Sequence, residues 1–353
     1  MKGNKRLTET LLASPVTKHW IHGRPVYIKR DDLLNVYGLS GNKARKYLKL
    51  LQDVIADRDT NAPENYDQHH HYCYNLVSYG GIQSNSMLAL SKIALLNPRY
   101  NFTYFSRAVP KFLKKAPIGN YLRALRHGTT VIELDNARYE DMASGKDVEM
   151  ILRQNSINIE TVNFIKQGGL SKDAEVGLHT LAKEIVDFVM NQSHSCDKNG
   201  WCVFVASGTG TSALYLNRAI QLLRERTDIG LKEKIIPIKV VAIPCMGSSE
   251  VLAKQMKSMN IESCYLPEIL DDGTNDSHSF AQPCEQHLEI WRNLCSASGI
   301  DFDLIYAPRA WQQLRRVLSQ YENMYNIMYY HCGGQEGNDS QLRRYKYKGI
   351  GGQ

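Results

Sequence analysis

The residues of this sequence that could do chemistry sit at glycine-rich turns. Ser40-Gly41-Asn42-Lys43 lies where a helix is predicted to begin. Most lysines at a helix start are exposed and inert, because the positive end of the helix dipole disfavours the cation. The same location suits a lysine that must shed its proton, since Schiff-base chemistry needs the neutral amine. A second turn, Ser207-Gly208-Thr209-Gly210-Thr211, follows an apolar strand and opens a helix. Glycines let backbone amides approach a ligand, and a helix start offers unpaired N–H groups to an anion. With hydroxyls from Thr209, Thr211 and Ser212, this reads as a phosphate cradle. The plainer reading is a tight strand–helix turn with no ligand. Gly208-x-Gly210-x-x-Ala213 also matches a dinucleotide fingerprint, but the next strand ends Ala242-Ile243-Pro244-Cys245 with no acid for a ribose. No Gly-Lys-Ser/Thr follows either, so a Walker A loop is excluded. A third turn, Gly80-Gly81-Ile82-Gln83-Ser84-Asn85, places Ser84 and Asn85 in a first helical turn. There a carboxylate would meet amides and side-chain donors together, although ordinary capping by Ser84 explains the serine equally well. A fourth, Cys332-Gly333-Gly334, follows another strand.

The elements that position these turns alternate. Strands are predicted over 26–29, 72–78, 102–105, 131–134, 162–165, 201–206, 236–243, 263–266, 303–306 and 327–331. Helices are predicted over 43–55, 84–95, 119–127, 174–190, 212–226, 249–259, 285–298 and 310–321. Such alternation argues an α/β protein with largely parallel sheets. A length of 353 residues gives about two domains.

The net charge of +7 lies wholly at the ends: Lys2, Lys5, Arg6, Arg343, Arg344, Lys346 and Lys348 account for it. Between them the chain is formally neutral, so no nucleic-acid partner is expected. No apolar stretch is long enough for a membrane span or a signal peptide. The eight cysteines show no C-x-x-C pair and read as reduced thiols of a cytoplasmic protein. The run His69-His70-His71 reads as solvated loop, because adjacent side chains do not converge on one ion; no metal is expected.

Together the turns resemble one family. Lys29-Arg30-Asp31-Asp32-Leu33 followed by Gly41-Asn42-Lys43-Ala44-Arg45-Lys46 is similar to the KRDDL…GGNKxRK signature of the D-cysteine desulfhydrase / 1-aminocyclopropane-1-carboxylate deaminase family. Gly80–Asn85 resembles its GGIQSN, Gln167-Gly168-Gly169 its PxGG, and Ser207–Thr211 its phosphate loop. Asp303-Leu304-Ile305-Tyr306 resembles its DPVY, and His331-Cys332-Gly333-Gly334 its HTGG. The matches run in family order over roughly 25–340.

The resemblance implies a tryptophan synthase β-like fold (fold type II) of two three-layer α/β domains. The larger domain would be 1–48 with 164–353, and the smaller 49–163. It implies pyridoxal 5'-phosphate as cofactor, a small amino acid as substrate and a homodimer. Lys43 would carry the cofactor; Ser207, Gly208, Thr209, Gly210 and Thr211 would hold its phosphate; Asn85 and Cys332 would contact it. Ser84 would handle protons near the substrate, Tyr306 would stand beside the reacting carbons, and Ser86 and Phe280 would line the substrate position with Ser84 and Asn85.

The departures from the family pattern narrow the activity. Ala307 follows the active-site tyrosine where deaminases carry glutamate, and Phe280 stands where a second tyrosine is usual. Both changes disfavour opening of aminocyclopropane carboxylate and leave β-elimination from an amino acid with a good leaving group. The expectation is a D-cysteine desulfhydrase-like lyase giving pyruvate, ammonia and sulfide. The alternatives are a deaminase-like or other enzyme of the same fold, and a cofactor-binding paralogue with little catalysis.

Overall fold

The computed structural model describes residues 13–60, 74–192, 198–228, 236–271, 273 and 280–351. The triple histidine, Cys73, Cys196 and the basic N-terminal residues lie outside them. The chain divides into two units, Met1–Lys46 with Lys172–Gln353, and Tyr47–Ser171.

The larger unit opens on a hairpin, β1 (Val16–Ile21) and β2 (Arg24–Arg30). Its turn, His22-Gly23, has φ of +52° and +74°, the hand that matches strand twist. A 3-10 turn (Asp31–Leu33) and a short hairpin, β3 (Asn35–Val36) and β4 (Leu39–Ser40), lead into helix α1 (Gly41–Lys46).

The smaller unit follows as α2 (Leu48–Thr60), β5 (Tyr74–Tyr79), α3 (Asn85–Leu95), β6 (Tyr100–Arg107), α4 (Lys111–Lys115), α5 (Gly119–Arg126), β7 (Thr130–Leu134), α6 (Asn136–Ser144), α7 (Val148–Gln154) and β8 (Val162–Ile165). Its four strands are all parallel, in the order β7-β6-β5-β8. On one face Val77, Tyr79 and Phe105 pack on Tyr139 and Met142 of α6 and Ile151 and Leu152 of α7. Helix α3 packs on β5 and β6.

The larger unit resumes with α8 (Ala174–Asn191), β9 (Trp201–Ser207), α9 (Thr211–Asp228), β10 (Ile238–Pro244), α10 (Ser249–Lys257), β11 (Glu268–Ile269), α11 (Glu285–Ser298), α12 (Ala307–Glu322), β12 (Asn326–His331) and α13 (Asn338–Tyr347). Its sheet runs β1-β2-β12-β9-β10-β11, parallel except for the β1–β2 hairpin. Strand β9 explains why the central strands read as unbroken apolar runs. Trp201, Val203 and Val205 face α8 and α9, while Cys202 and Phe204 face α11 and α12. Both faces are covered, so neither can be polar. The fold is thus mixed α/β with mostly parallel sheets.

Several elements differ from expectation. The predicted helix 43–55 is two helices, α1 and α2, separated at Tyr47. Periodicity does not register such a break, because the apolar stripe continues across it. Residues 303–306 form no strand, because the Asp303 carboxylate accepts from the amides of Ile305, Tyr306 and Ala307 and ties the backbone into a turn. Residues 263–265 form a 3-10 turn, and the edge strand β11 comes after it. In the basic C-terminal stretch Tyr345 is buried, and Arg344 donates to the Ala281 carbonyl at 2.8 Å.

Three cations crowd the last turn of α1: Lys43, Arg45 and Lys46. Arg45 and Asp31 are both 0% exposed and form a two-pronged pair, Nε to Oδ2 at 2.6 Å and Nη2 to Oδ1 at 2.8 Å. Glu184 of α8 accepts from Nη1 and Nη2, each at 2.9 Å, and Thr180 Oγ1 from Nη1 at 3.0 Å. Every N–H donor of the guanidinium is therefore used. Lys29, itself buried, pairs with Glu184, and the Tyr330 hydroxyl donates to Asp31. Two cations thus offset two carboxylates. Helix α8 comes close enough to α1 that a Cβ on Gly177 would lie 2.1 Å from the Arg45 carbonyl oxygen.

Removing one partner of such a cluster strands a buried charge, which costs about 3–5 kcal/mol. Arg45→Ala is therefore expected to lower unfolding free energy by about that amount, read from urea denaturation. A loss below about 1 kcal/mol would show that water or another cation replaces the guanidinium. Lys46 gives a pH prediction. Burial and the neighbouring Lys43 pull its amine down to about 7 from 10.5, against an upward pull from Cys332. Between those values the folded chain binds fewer protons than the unfolded one, so stability rises with pH across that window. The variant Lys46→Met should flatten the slope and stabilise the cofactor-free chain most below about pH 7. Denaturation midpoints at a series of pH values check this; an unchanged slope refutes it.

Candidate active site

Lys43 is the third residue of α1, and a glycine junction fixes where that helix starts. Gly41 has φ +62°, and a Cβ there would lie 2.2 Å from the Cys332 carbonyl oxygen. Gly333 has φ +73°, and its Cβ would lie 2.8 Å from Gly41 Cα. The two turns therefore meet backbone to backbone, and the Asn42 amide donates to the Cys332 carbonyl at 2.8 Å. The Gly333 amide donates to His331 Nδ1 at 3.2 Å, so the ring proton is on Nε2 and goes to the Asp301 carbonyl at 3.0 Å. His331 is thereby held as the neutral tautomer, stacked on Phe302 at 4.6 Å.

The Lys43 amine donates to Asn42 Oδ1 at 2.8 Å. Burial pushes it below the ordinary lysine value, while Cys332, Glu336 and Asp303 pull the other way. Burial pushes the Cys332 thiol up to about 12, so it is an uncharged neighbour at physiological pH. Asn42 Nδ2 reaches Ser212 Oγ at 3.5 Å, which ties the start of α1 to the start of α9.

That helix carries the candidate phosphate turn. Strand β9 ends at Ser207, and α9 begins at Thr211, with Gly208, Thr209 and Gly210 between. Gly210 has φ +76°, and its Cβ would lie 2.6 Å from the Met256 side chain. A Cβ on Gly208 would lie 3.0 Å from Met246 Sδ and 3.3 Å from the Tyr306 hydroxyl. The bare Gly208 backbone thus lies beside the phenol. The Thr209 and Thr211 hydroxyls pair at 2.9 Å, and Ser207 Oγ donates to the Val205 carbonyl. The first-turn amides of α9 have no intrahelical partner, as at any helix start, and they complete a set of donors suited to a phosphate.

Tyr306 stands at the N-terminus of α12, on the turn tied by Asp303. Burial, then Cys245 and Asp303, push its phenol up, so it keeps its proton. Its ring meets Phe280 edge to face at 5.1 Å, and its hydroxyl lies 3.9 Å from Met246 Sδ. Residue 307 is a buried alanine. Lys43, the 207–211 turn, Cys332, Tyr306 and Phe280 thus belong to one unit, linked through Gly41–Cys332, Asn42–Ser212 and Gly208–Tyr306.

Ser84, Asn85 and Ser86 belong to the smaller unit, at the start of α3. Gly80 has φ +148°, and a Cβ there would lie 2.5 Å from the Tyr104 hydroxyl. Ser84 is the N-cap: its Oγ accepts from the amides of Ser86 at 3.1 Å and Met87 at 3.4 Å. The capping reading therefore holds, and the same hydroxyl also hydrogen-bonds with the Tyr104 phenol. Ser86 is buried, and its hydroxyl is bonded to Tyr47. Asn85 Oδ1 accepts from Asn120 Nδ2 at 2.7 Å.

Sequence reasoning passed over several residues that shape these turns. Lys46, Asp303 and Glu336 act electrostatically on the Lys43 neighbourhood, and Gln83 and Asn120 hold Asn85. The first two lie inside quoted motifs, but nothing in a sequence marks Asn120, which arrives from another helix. Among the described residues no cluster of three His, Cys, Asp or Glu side chains could hold a metal, and no helix is long and apolar enough to cross a membrane.

No family model matches this chain, and no curated protein sequence matches it. Solved structures do. An ACC deaminase homologue aligns at 20% identity and TM-score 0.64, over 95% of both chains. A hydrogen sulfide-producing enzyme (Fn1220) from Fusobacterium nucleatum aligns at 14% identity and TM-score 0.55, over 94% of this chain and 98% of that one. An O-acetyl serine sulfhydrylase (isoform 3) from Entamoeba histolytica aligns at 12% identity and TM-score 0.60, over 98% and 92%. At these identities the likeness speaks to architecture: the chain has the tryptophan synthase β-like fold.

Proposed function

We propose that the protein is a pyridoxal-phosphate-dependent lyase that eliminates a thiolate from a small amino acid. Its activity would be of the D-cysteine desulfhydrase type: D-cysteine and water give pyruvate, ammonia and sulfide. The observation that carries this reading is Lys43. It is a half-buried lysine whose amine has a lowered pKa, on a helix whose first turn touches the start of a phosphate-cradling helix. The structural neighbours agree in kind: they include an ACC deaminase homologue and hydrogen sulfide-producing enzymes.

The residues present fit this cofactor. The turn that would take its phosphate has no room for a Cβ at Gly210 and a bare backbone at Gly208, and hydroxyls stand at both threonines. In this reading the amides of Gly208, Thr209, Gly210 and Thr211 hold the phosphate, Lys43 attaches the aldehyde carbon, Cys332 lies nearby, and Asn85 meets the ring oxygen. Once bound, the cofactor withdraws electrons from the substrate Cα and acidifies its proton.

The remaining work falls to the chain. Lys43 Nζ would be the base for the α-proton, and burial shifts its pKa down, toward the neutral form a base needs. The Tyr306 phenol stays protonated and serves as the nearby donor. Ser84 Oγ, accepting from two amides and bonded with the Tyr104 phenol, would exchange that bond for one to a substrate carboxylate. With Ala307 and Phe280 flanking Tyr306, no carboxylate or second phenol at those positions helps a poor leaving group depart. A thiolate, which leaves with little acid assistance, suits this set best.

The purified holoprotein should absorb as a lysine-bound cofactor, and borohydride should fix that cofactor to the peptide containing Lys43. Lys43→Ala should lose the band and about 10²–10⁴-fold of pyruvate release from D-cysteine. A wild-type band without turnover across D- and L-amino acids would replace the lyase with a cofactor-binding paralogue. A band that persists in Lys43→Ala would refute the lysine assignment.

A further inference from the structure

Three side-chain amides of the smaller unit are oriented by a chain of hydrogen bonds that starts from backbone atoms, whose chemistry is unambiguous. Gln83 Nε2 donates to the Ile118 carbonyl at 3.1 Å, and Gln83 Oε1 accepts from the Asn120 backbone amide at 2.9 Å. Gln83 is therefore fixed at both ends. Asn120, fully buried at the start of α5, directs one side-chain atom to the Gln83 carbonyl at 3.1 Å; facing a carbonyl, that atom must be the NH2 group. The same NH2 reaches the Asn85 side chain at 2.7 Å. The atom it meets on Asn85 must accept, so it is Oδ1. The Asn85 NH2 group is then the end that faces away from Asn120. It has no hydrogen-bond partner among the described residues.

We infer that Asn120 is a positioning residue that commits Asn85 to act as a hydrogen-bond donor, so that Asn85 selects an anionic or carbonyl oxygen on its ligand. This rests on the cofactor reading above, in which Asn85 meets the ring oxygen of pyridoxal phosphate. A donor at that position favours the ring oxygen as phenolate over the neutral phenol, because a hydrogen bond to a charged acceptor is the stronger kind. A freely turning carboxamide would present its oxygen about as often and lose that preference. Asn120 touches no reacting atom in this account; it acts through Asn85.

The test is the ratio of the two absorption bands of the lysine-bound cofactor, phenolate form against phenol form, in purified holoprotein. In Asn120→Asp the introduced carboxylate can only accept, so Asn85 must turn its NH2 group toward it and offer Oδ1 to the ring. The ratio should fall by roughly tenfold, the weight of one charge-assisted hydrogen bond. Asn120→Ala, which releases Asn85 without reversing it, should give a smaller fall in the same direction and serves if Asn120→Asp does not fold. In an Asn85→Ala background, neither change at position 120 should move the ratio further. An equal shift with and without Asn85 would overturn the inference, as would an unchanged ratio in Asn120→Asp with the cofactor still bound to lysine. A wild-type holoprotein with no lysine-bound band would instead fail the cofactor reading itself, and this inference with it.

Discussion

Arg45 lies two residues after Lys43, on nearly the opposite side of a helix only six residues long. Its guanidinium spends every donor on Asp31, Glu184 and Thr180, inside a space that excludes water. A short helix has little stability of its own, since nucleation is costly and few bonds repay it. The buried charge cluster therefore decides where this helix sits and which way it is turned. With Arg45 pinned inward, Lys43 is carried to the other side, toward Cys332, on a helix whose Asn42 reaches Ser212 at the end of the 207–211 turn. The glycine junction of Gly41 and Gly333 fixes the same helix at its other end.

The cluster also separates two kinds of buried cation on one helix. Arg45 is kept charged, because Asp31 and Glu184 offset its burial. For Lys43 and Lys46 burial outweighs the upward pull of their neighbours: it lowers both, and Lys46 is lowered further by Lys43. Placed side by side, two amines are easier to keep neutral than one. The fold thus sets a paired, charged arginine two residues from a lysine whose pKa is lowered.

The smaller unit solves a related problem without charge. Its glycine turn and helix start are aligned by amides that read one another in sequence, from the Ile118 carbonyl through Gln83 and Asn120 to Asn85. Orientation is the product here, because an asparagine has one donating and one accepting end. The ion cluster settles location, and the amide chain settles direction.

Much of this was legible in the residues. The strand–helix alternation, the strands β8, β9 and β12 and the four glycine turns could be read directly, because buried parallel strands are apolar throughout and tight turns demand glycine. Sequence also marked Lys43, and the charged residues around it in Lys29–Leu33 and Gly41–Lys46. It did not show that Arg45 meets Glu184, that Asp303 breaks an apparent strand into a turn, or that Asn120 holds Asn85. Nor did it show that Ser86 is bonded to Tyr47. Apart from the Asp303 turn, which reaches only four residues along the chain, those pairings join residues far apart in the chain, and local pattern carries no record of them. The sequence by itself determined which residue types stand at each turn. The tertiary structure alone decided which of them are buried, which are paired and which way their pKa values move, because burial and hydrogen-bond partners come from elements brought together only by folding.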